Sequence, residues 1–414
     1  MPLDSASLES TREEFEKQIA SYVGTRYAIA CSSGRSAIRF SLLALGIGHG
    51  DEVIVPDFAC EILPITVFCT GALPRLCDIN RNTLSLSPIH LQKALRPNTK
   101  AAIFTHLYGI PVDPSPLMEI TQKKGIALID DAAQALGASI QGKKAGSFGD
   151  VGILSLNKFL DVRLGGVALT NNDELATKIR LTRQKHENKS FLVSSGYRMI
   201  EFLGIKSRKA MSAIILGDKR IYRLLNFTLA KKHFKTVDGW VEANPYVVDL
   251  WRSNALTSAI INQLMAINGK SWHRRRLEKL EILSLQKELE ILEKNLEERR
   301  TIAKIYQERL KEGDFNSITA SMNAVPSYMK YPIVFLDEKK FLNCVNDLIQ
   351  SDFETTCIYR PLHKSPLFNG INKDSTFEES IYASNHVLPI PVDPNMSIKE
   401  LNKIISIVNS HRKE

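Results

Sequence analysis

From Tyr27 to about Thr170, short apolar runs alternate with stretches of helical pattern. The runs are Tyr27–Cys31, Val53–Val55, Ala101–Phe104, Ile126–Ile129, Val151–Leu154 and Val167–Leu169. Continuous apolar runs of this length suit strands buried on both faces. Their alternation with helices predicts an α/β fold with a mostly parallel central sheet flanked by helices. Farther along, from about Arg274 to Leu310, Leu277, Leu280, Leu285, Leu289, Leu292 and Leu296 share one broad face and predict a long helix. Beyond it, Tyr331–Phe335 reads as a strand, 339–350 as a helix and the segment after Ser397 as a terminal helix, which describes a smaller α+β C-terminal domain. The expected division is a large domain over 1–250, a helical connection over 251–310 and a small domain over 311–414.

In open α/β sheets, ligands collect at the carboxyl ends of the strands. Those ends carry Ser32-Ser33-Gly34, His106, Asp130-Asp131 and Ser155-Leu156-Asn157-Lys158. Lys158 leaves a buried strand and precedes the pair Gly165-Gly166. A lysine there suits Schiff-base chemistry once its surroundings lower its proton affinity, and it equally suits a rim ion pair. Asp130 and Asp131 end an apolar run, and strand alternation points them to different faces. One of them, assigned here as Asp131, could hold the proton of a pyridinium nitrogen, while both could also cap the following turn. Ser33-Gly34-Arg35 precedes a helical stretch and could receive a phosphate on the helix N-terminus, or serve as an ordinary N-cap. His106, Arg360 and His363 are candidate substrate contacts, with a hydrogen-bonded structural role open for each histidine.

The 414 residues are 44% hydrophobic and 24% charged, an ordinary globular balance with enough chain for a large and a small domain. No run approaches the length of a membrane span and the first residues lack a signal-peptide pattern, so a cytoplasmic location is expected. The six cysteines form no C-x-x-C pair, which argues against a zinc site and a disulfide framework, and no metal is expected. The net charge of +9 is concentrated between Arg198 and Lys235, where ten basic residues face two acidic ones. A basic helical insertion over about 198–235 is expected. It could touch a membrane surface or an anionic substrate, and a solvated face is the favoured reading. No helix-turn-helix, zinc or aromatic-basic pattern accompanies the charge, so no nucleic-acid partner is expected.

Taken together, these segments resemble the DegT/DnrJ/EryC1/StrS sugar aminotransferases, within the fold-type I enzymes that use pyridoxal 5'-phosphate (PLP). The matching segments run in order through nearly the whole chain: Tyr27–Ala37, Gly50–Pro56, Thr105–Gly109, Asp130–Gln134, Gly146–Asp150, Lys158 with Gly165-Gly166, Arg299-Arg300 with Tyr306, Arg360–His363 and Leu388–Pro391. The resemblance implies a PLP-transferase fold and a cofactor joined to Lys158. It places Asp131 on the pyridine nitrogen, Gln134 near the ring, and Ser33, Gly34, Arg35 and Ser155 about the phosphate. It further implies a homodimer with shared active sites that passes an amino group from glutamate to a nucleotide-linked keto-sugar. The chain departs from the family pattern at Arg35, where threonine is common, and at Cys60, near the usual place of an aromatic residue. The family's Gly-Tyr-Asn-Tyr-Arg segment has only a loose counterpart in Trp251–Asn254. Alternatives are a PLP-dependent sugar dehydratase, in which histidine replaces the lysine, and a non-catalytic descendant of the fold.

Overall fold

The computed structural model describes residues 5–162, 164–187, 276–310, 315–318, 323–353, 358–365, 368 and 376–411. The expected basic insertion at 198–235 and the segment Trp251–Asn254 lie outside the described residues. The strands are β1 (Tyr27–Cys31), β2 (Glu52–Pro56), β3 (Leu73–Cys77), β4 (Ile79–Asn80), β5 (Ser85–Leu86), β6 (Thr99–Thr105), β7 (Ala127–Asp131), β8 (Ser139–Ile140), β9 (Lys143–Lys144), β10 (Val151–Ser155), β11 (Gly166–Thr170), β12 (Phe315–Ser317), β13 (Ala324–Val325), β14 (Lys330–Phe335) and β15 (Val387–Pro391). The helices are α1 (Ser5–Val23), α2 (Gly34–Ala44), α3 (Ile62–Phe68), α4 (Pro88–Ala94), α5 (Ser115–Lys124), α6 (Asp173–His186), α7 (Lys279–Glu290), α8 (Leu292–Arg309), α9 (Glu338–Gln350), α10 (Glu378–His386) and α11 (Ile398–Ser410).

Among the described residues, seven strands form the central sheet in the order β1-β11-β10-β7-β6-β2-β3. The pairs β10 with β7, β7 with β6, β6 with β2 and β2 with β3 are parallel, while β11 runs antiparallel to both β1 and β10. Strand alternation divides the core. Ile29, Val53, Val55, Ile103, Ile129 and Ile153 pack on one face beneath α2, α3 and α6. On the other face Ala28, Ala30, Leu154 and Leu169 meet α1, α7 and α8, and Ile54, Phe104 and Leu128 meet α4 and α5. Both faces are therefore covered, as a parallel sheet requires.

The expected helix from Arg274 to Leu310 is two helices, α7 and α8, divided at Ile291. Ile291 is 46% exposed and so is Leu280, which lies off the buried face that holds Leu277, Leu285, Leu292 and Leu296. A second sheet, β12-β14-β15, packs with α8, α9 and α11 around Phe335, Phe341, Leu348, Ile390 and Ile404 to build the smaller α+β unit. Its last helix begins at the expected place, with Ser397 and Glu400 forming a reciprocal capping box.

Candidate active site

Because β11 is antiparallel, its first residue, Gly166, reaches the same rim as the last residues of β1 and β10; it pairs with Cys31 on one side and Ser155 on the other. A side chain at Gly166 would fall 2.0 Å from the carbonyl carbon of Ser33, and one at Gly34 would lie 3.2 Å from Ser155 Cβ. The two glycines thus let the start of α2 close against the end of β10. Ser33 caps α2 by accepting the Ser36 N–H at 3.2 Å, and its Oγ lies 3.0 Å from Ser36 Oγ. The Ser155 hydroxyl reaches Asn157 Oδ1 at 3.0 Å. Serine oxygens and a helix N-terminus are thereby gathered at one point of the rim, a donor set that suits an anion. Arg35 stands close by, its guanidinium's proton affinity lowered by burial and opposed by the nearby Cys60.

Beside this rim a pocket brings Lys158, Asp131, Gln134, Cys60 and Thr105 together, with His106 behind it. Lys158 ends a short 3-10 turn directly after β10 and is exposed. The two adjacent carboxylates part as strand alternation requires. Asp130 is fully buried: its Oδ2 accepts the N–H groups of Gly146 at 2.7 Å and Phe148 at 3.1 Å, and its Oδ1 lies 3.0 Å from His106 Nε2. Asp131 faces the pocket and accepts the Ala133 N–H at 3.0 Å. Burial holds its carboxyl above the usual carboxylate range, with the Lys158 ammonium and that N–H pulling the other way. A desolvated carboxylate facing a cavity gains from a bound cationic group.

The other candidates divide. Gln134 is held at both ends of its carboxamide, Oε1 accepting from Tyr108 N–H at 3.0 Å and Nε2 donating to the Tyr359 hydroxyl at 2.6 Å. His106 has 0% exposure; its Nδ1 accepts the Val112 N–H at 2.9 Å, and its Nε2 lies 3.0 Å from Asp130 Oδ1. His363 stands at the junction with the C-terminal unit. Its N–H donates to Asp57 Oδ1 at 2.8 Å, its Nδ1 lies 2.7 Å from Asp57 Oδ2, and its ring stacks on Phe377 at 4.4 Å. Arg360 lies at the same junction, where its charge opposes the upward shift that burial imposes on the Glu61 carboxyl. The fully buried Asp57 and the residue Tyr359 were not singled out by the sequence reading. Asp57 directly follows β2 at the catalytic rim, a position that could have flagged it; Tyr359 carries no such local signal.

The sequence pattern of the DegT/DnrJ/EryC1/StrS aminotransferase family matches residues 4–232 and 266–409. The chain belongs to this family. Similar members include GDP-perosamine synthase of Caulobacter vibrioides, 42% identical over 172 residues that make up 41% of this chain and 46% of that one. The UDP-2-acetamido-2-deoxy-3-oxo-D-glucuronate aminotransferase of Pseudomonas aeruginosa is 41% identical over 173 residues, 40% of this chain and 47% of that one. The chain spans about half the length of these relatives. The solved structure of NtdA from Bacillus subtilis with bound cofactor PMP shares the fold, with a TM-score of 0.67 at 22% identity over 97% of this chain and 77% of that one. Among the described residues no helix is long and apolar enough to cross a membrane, and no cluster of three or more histidine, cysteine or acidic side chains is placed to hold a metal ion.

Proposed function

We propose that this protein is a PLP-dependent aminotransferase that moves an amino group from glutamate to a keto-sugar carried on a nucleotide, in polysaccharide or glycoconjugate biosynthesis. The observation that carries the reading is the joint placement of Lys158 and Asp131 in one pocket beside an anion-suited helix N-terminus. That donor set fits the cofactor's three polar ends. Asp131, desolvated and facing the cavity, would hold the proton on the ring nitrogen. Ser33, Gly34, Arg35 and Ser155 would take the phosphate, and Gln134 would border the ring. When bound, PLP supplies a carbonyl for amine chemistry and a ring that draws electrons from the bond being broken. Lys158 Nζ would carry the proton between the amine-bearing carbon of the substrate and the carbonyl carbon of the cofactor, and His106, held by the Val112 N–H, would keep the wall behind them closed to water. Arg360 and His363 are retained as candidate substrate contacts, near the edge of the C-terminal unit.

The nucleotide-linked acceptor is supported by the names of the two relatives, which specify a GDP-linked and a UDP-linked sugar, the second with an oxo group. A homodimer with shared sites is part of the reading, supported by the exposure of Lys158 in the single chain. A cytoplasmic location is supported by the free thiols Cys31, Cys60, Cys69, Cys77 and Cys344.

The test is a visible absorption spectrum of the purified protein with added PLP, followed by glutamate, with Lys158→Ala as control. The expected result is an absorption band in the parent that fades with glutamate and is missing from Lys158→Ala. A band indifferent to every amino donor would replace transamination with another PLP reaction such as dehydration. Failure of the parent to bind PLP would overturn the enzymatic reading.

A further inference from the structure

The carboxamide of Gln134 cannot be turned over without loss. Its acceptor oxygen is fixed by the Tyr108 N–H at 3.0 Å, so its NH2 group must face the Tyr359 hydroxyl, 2.6 Å away. Reversal would set an NH2 against an N–H.

Each contact of this triangle is held by something else. Tyr108 has 0% exposure and a positive φ of 58°, a conformation costly for a bulky residue and kept only where the surroundings determine it. Its ring stacks on Tyr359 with centroids 6.1 Å apart and planes 18° from parallel, and Phe58 meets Tyr359 edge-on at 5.8 Å. Tyr359 arrives from the C-terminal part of the chain, and the residues just after it are bound to the end of β2. Pro361 bridges to Phe58, and Leu362 donates its N–H to the Asp57 carbonyl at 2.8 Å. A tyrosine serving for packing alone has no use for a hydroxyl aligned on an amide that lines the pocket with Lys158 and Asp131.

We propose that Tyr359 is a positioning residue of the active site: it converts the docking of the C-terminal segment onto β2 into a fixed orientation of Gln134. The inference rests on the PLP reading above. Through this bond the site is complete only when the 358–363 segment is in place.

The test compares the parent, Tyr359→Phe, Gln134→Ala and the double variant, each titrated with PLP and followed by its visible band. Tyr359→Phe keeps the stacked ring and removes the acceptor. It is expected to leave the melting temperature nearly unchanged, to weaken PLP about fivefold, the equivalent of roughly one hydrogen bond, and to move the pH midpoint of the band. Gln134→Ala is expected to weaken PLP by at least as much, and the double variant no further than Gln134→Ala alone, since both changes cut the same link. A parent that shows no band overturns the PLP reading and this inference with it. A parent with a normal band, beside a Tyr359→Phe variant of unchanged affinity and unchanged midpoint, overturns the role of Tyr359 alone. So does a double variant whose losses multiply.

Discussion

Asp130 and Asp131 differ by one position in the chain and by one face of a strand, and that single step separates a side chain spent inside the fold from one that lines the pocket. Asp130 is buried and accepts two backbone N–H groups beside His106, whereas Asp131 meets the cavity. The consequence can be measured in the protein without cofactor. Burial raises the Asp131 carboxyl above its usual range, so the folded chain holds this proton more tightly than the unfolded chain. Relative to Asp131→Asn, the parent is therefore favoured at low pH, and that advantage is lost as pH rises from about 3.9, the ordinary aspartate value, through the raised one. The difference in melting temperature, parent minus Asp131→Asn, is expected to fall as pH rises above about 3.9, the ordinary aspartate value. A difference independent of pH would show that the carboxyl is not perturbed. In the assay with PLP and glutamate, the same substitution is expected to slow turnover on the order of 100-fold, the usual cost of one preorganised electrostatic partner. That these two aspartates and Lys158 share one rim was legible in sequence because each stands at the end of an apolar run, and the strand ends of such a sheet lie together.

At the scale of elements, the strand that closes the sheet explains why α1 and α6 carry charges on buried faces. β1 is an edge strand, and an edge left unpaired invites association. Here side chains complete it. Glu16 accepts the Ala30 N–H at 2.8 Å, Arg183 donates to the Ala30 carbonyl at 3.0 Å, and Arg180 donates to the Ala28 carbonyl at 3.3 Å. Glu16 also pairs with Arg183 at 2.7 Å, the two side chains being 5% and 2% exposed. Removing the carboxylate would take the shortest ion pair from a buried guanidinium, leaving Glu9 at 3.5 Å, and would orphan the Ala30 N–H. Glu16→Ala is accordingly expected to destabilise the large unit by about 3 kcal/mol, read as a lower urea midpoint, with Glu16→Gln intermediate. Equal midpoints for all three proteins would mean that water or α1 compensates fully. Little of this could be read beforehand, because a buried arginine on α6 looks like any other helix arginine until the edge strand is placed beside it. The same difficulty hid β3, whose Pro74 and Arg75 interrupt the apolar run that marks the other strands, and the antiparallel sense of β11, which no side-chain period encodes. The division of α7 from α8 was hidden for the opposite reason: the leucine spacing continues across Ile291, where the backbone does not.

For the molecule as a whole, the question is how the C-terminal unit is held against the central sheet, since Tyr359 and Arg360 come from its side of the junction. The fold class was legible from the alternation of runs, but the junction was not: it joins positions some three hundred residues apart, such as Asp57 with His363 and Asp78 with Ser380. Asp78 is 4% exposed and serves as the acceptor for the start of α10. It takes the Glu379 N–H at 3.0 Å, the Ser380 N–H at 2.9 Å and the Ser380 hydroxyl at 2.6 Å. Arg81 reinforces the contact by pairing with Glu379 and covering the Tyr382 ring at 4.2 Å. Asp78→Ala would leave the first N–H groups of α10 without their acceptor, a loss on the order of 1–3 kcal/mol confined to the junction. Hydrogen exchange should then quicken in α10 and β15 while β6, β7 and β10 keep their protection, because those central strands pair with one another and are buried on both faces. Quickening spread evenly over both units would show that they unfold as one. Because Asp57 and Phe58 hold the 358–363 segment separately, Asp78→Ala is also expected to keep its visible band with PLP, which sets the loosening of a domain contact apart from the loss of the Tyr359 hydroxyl.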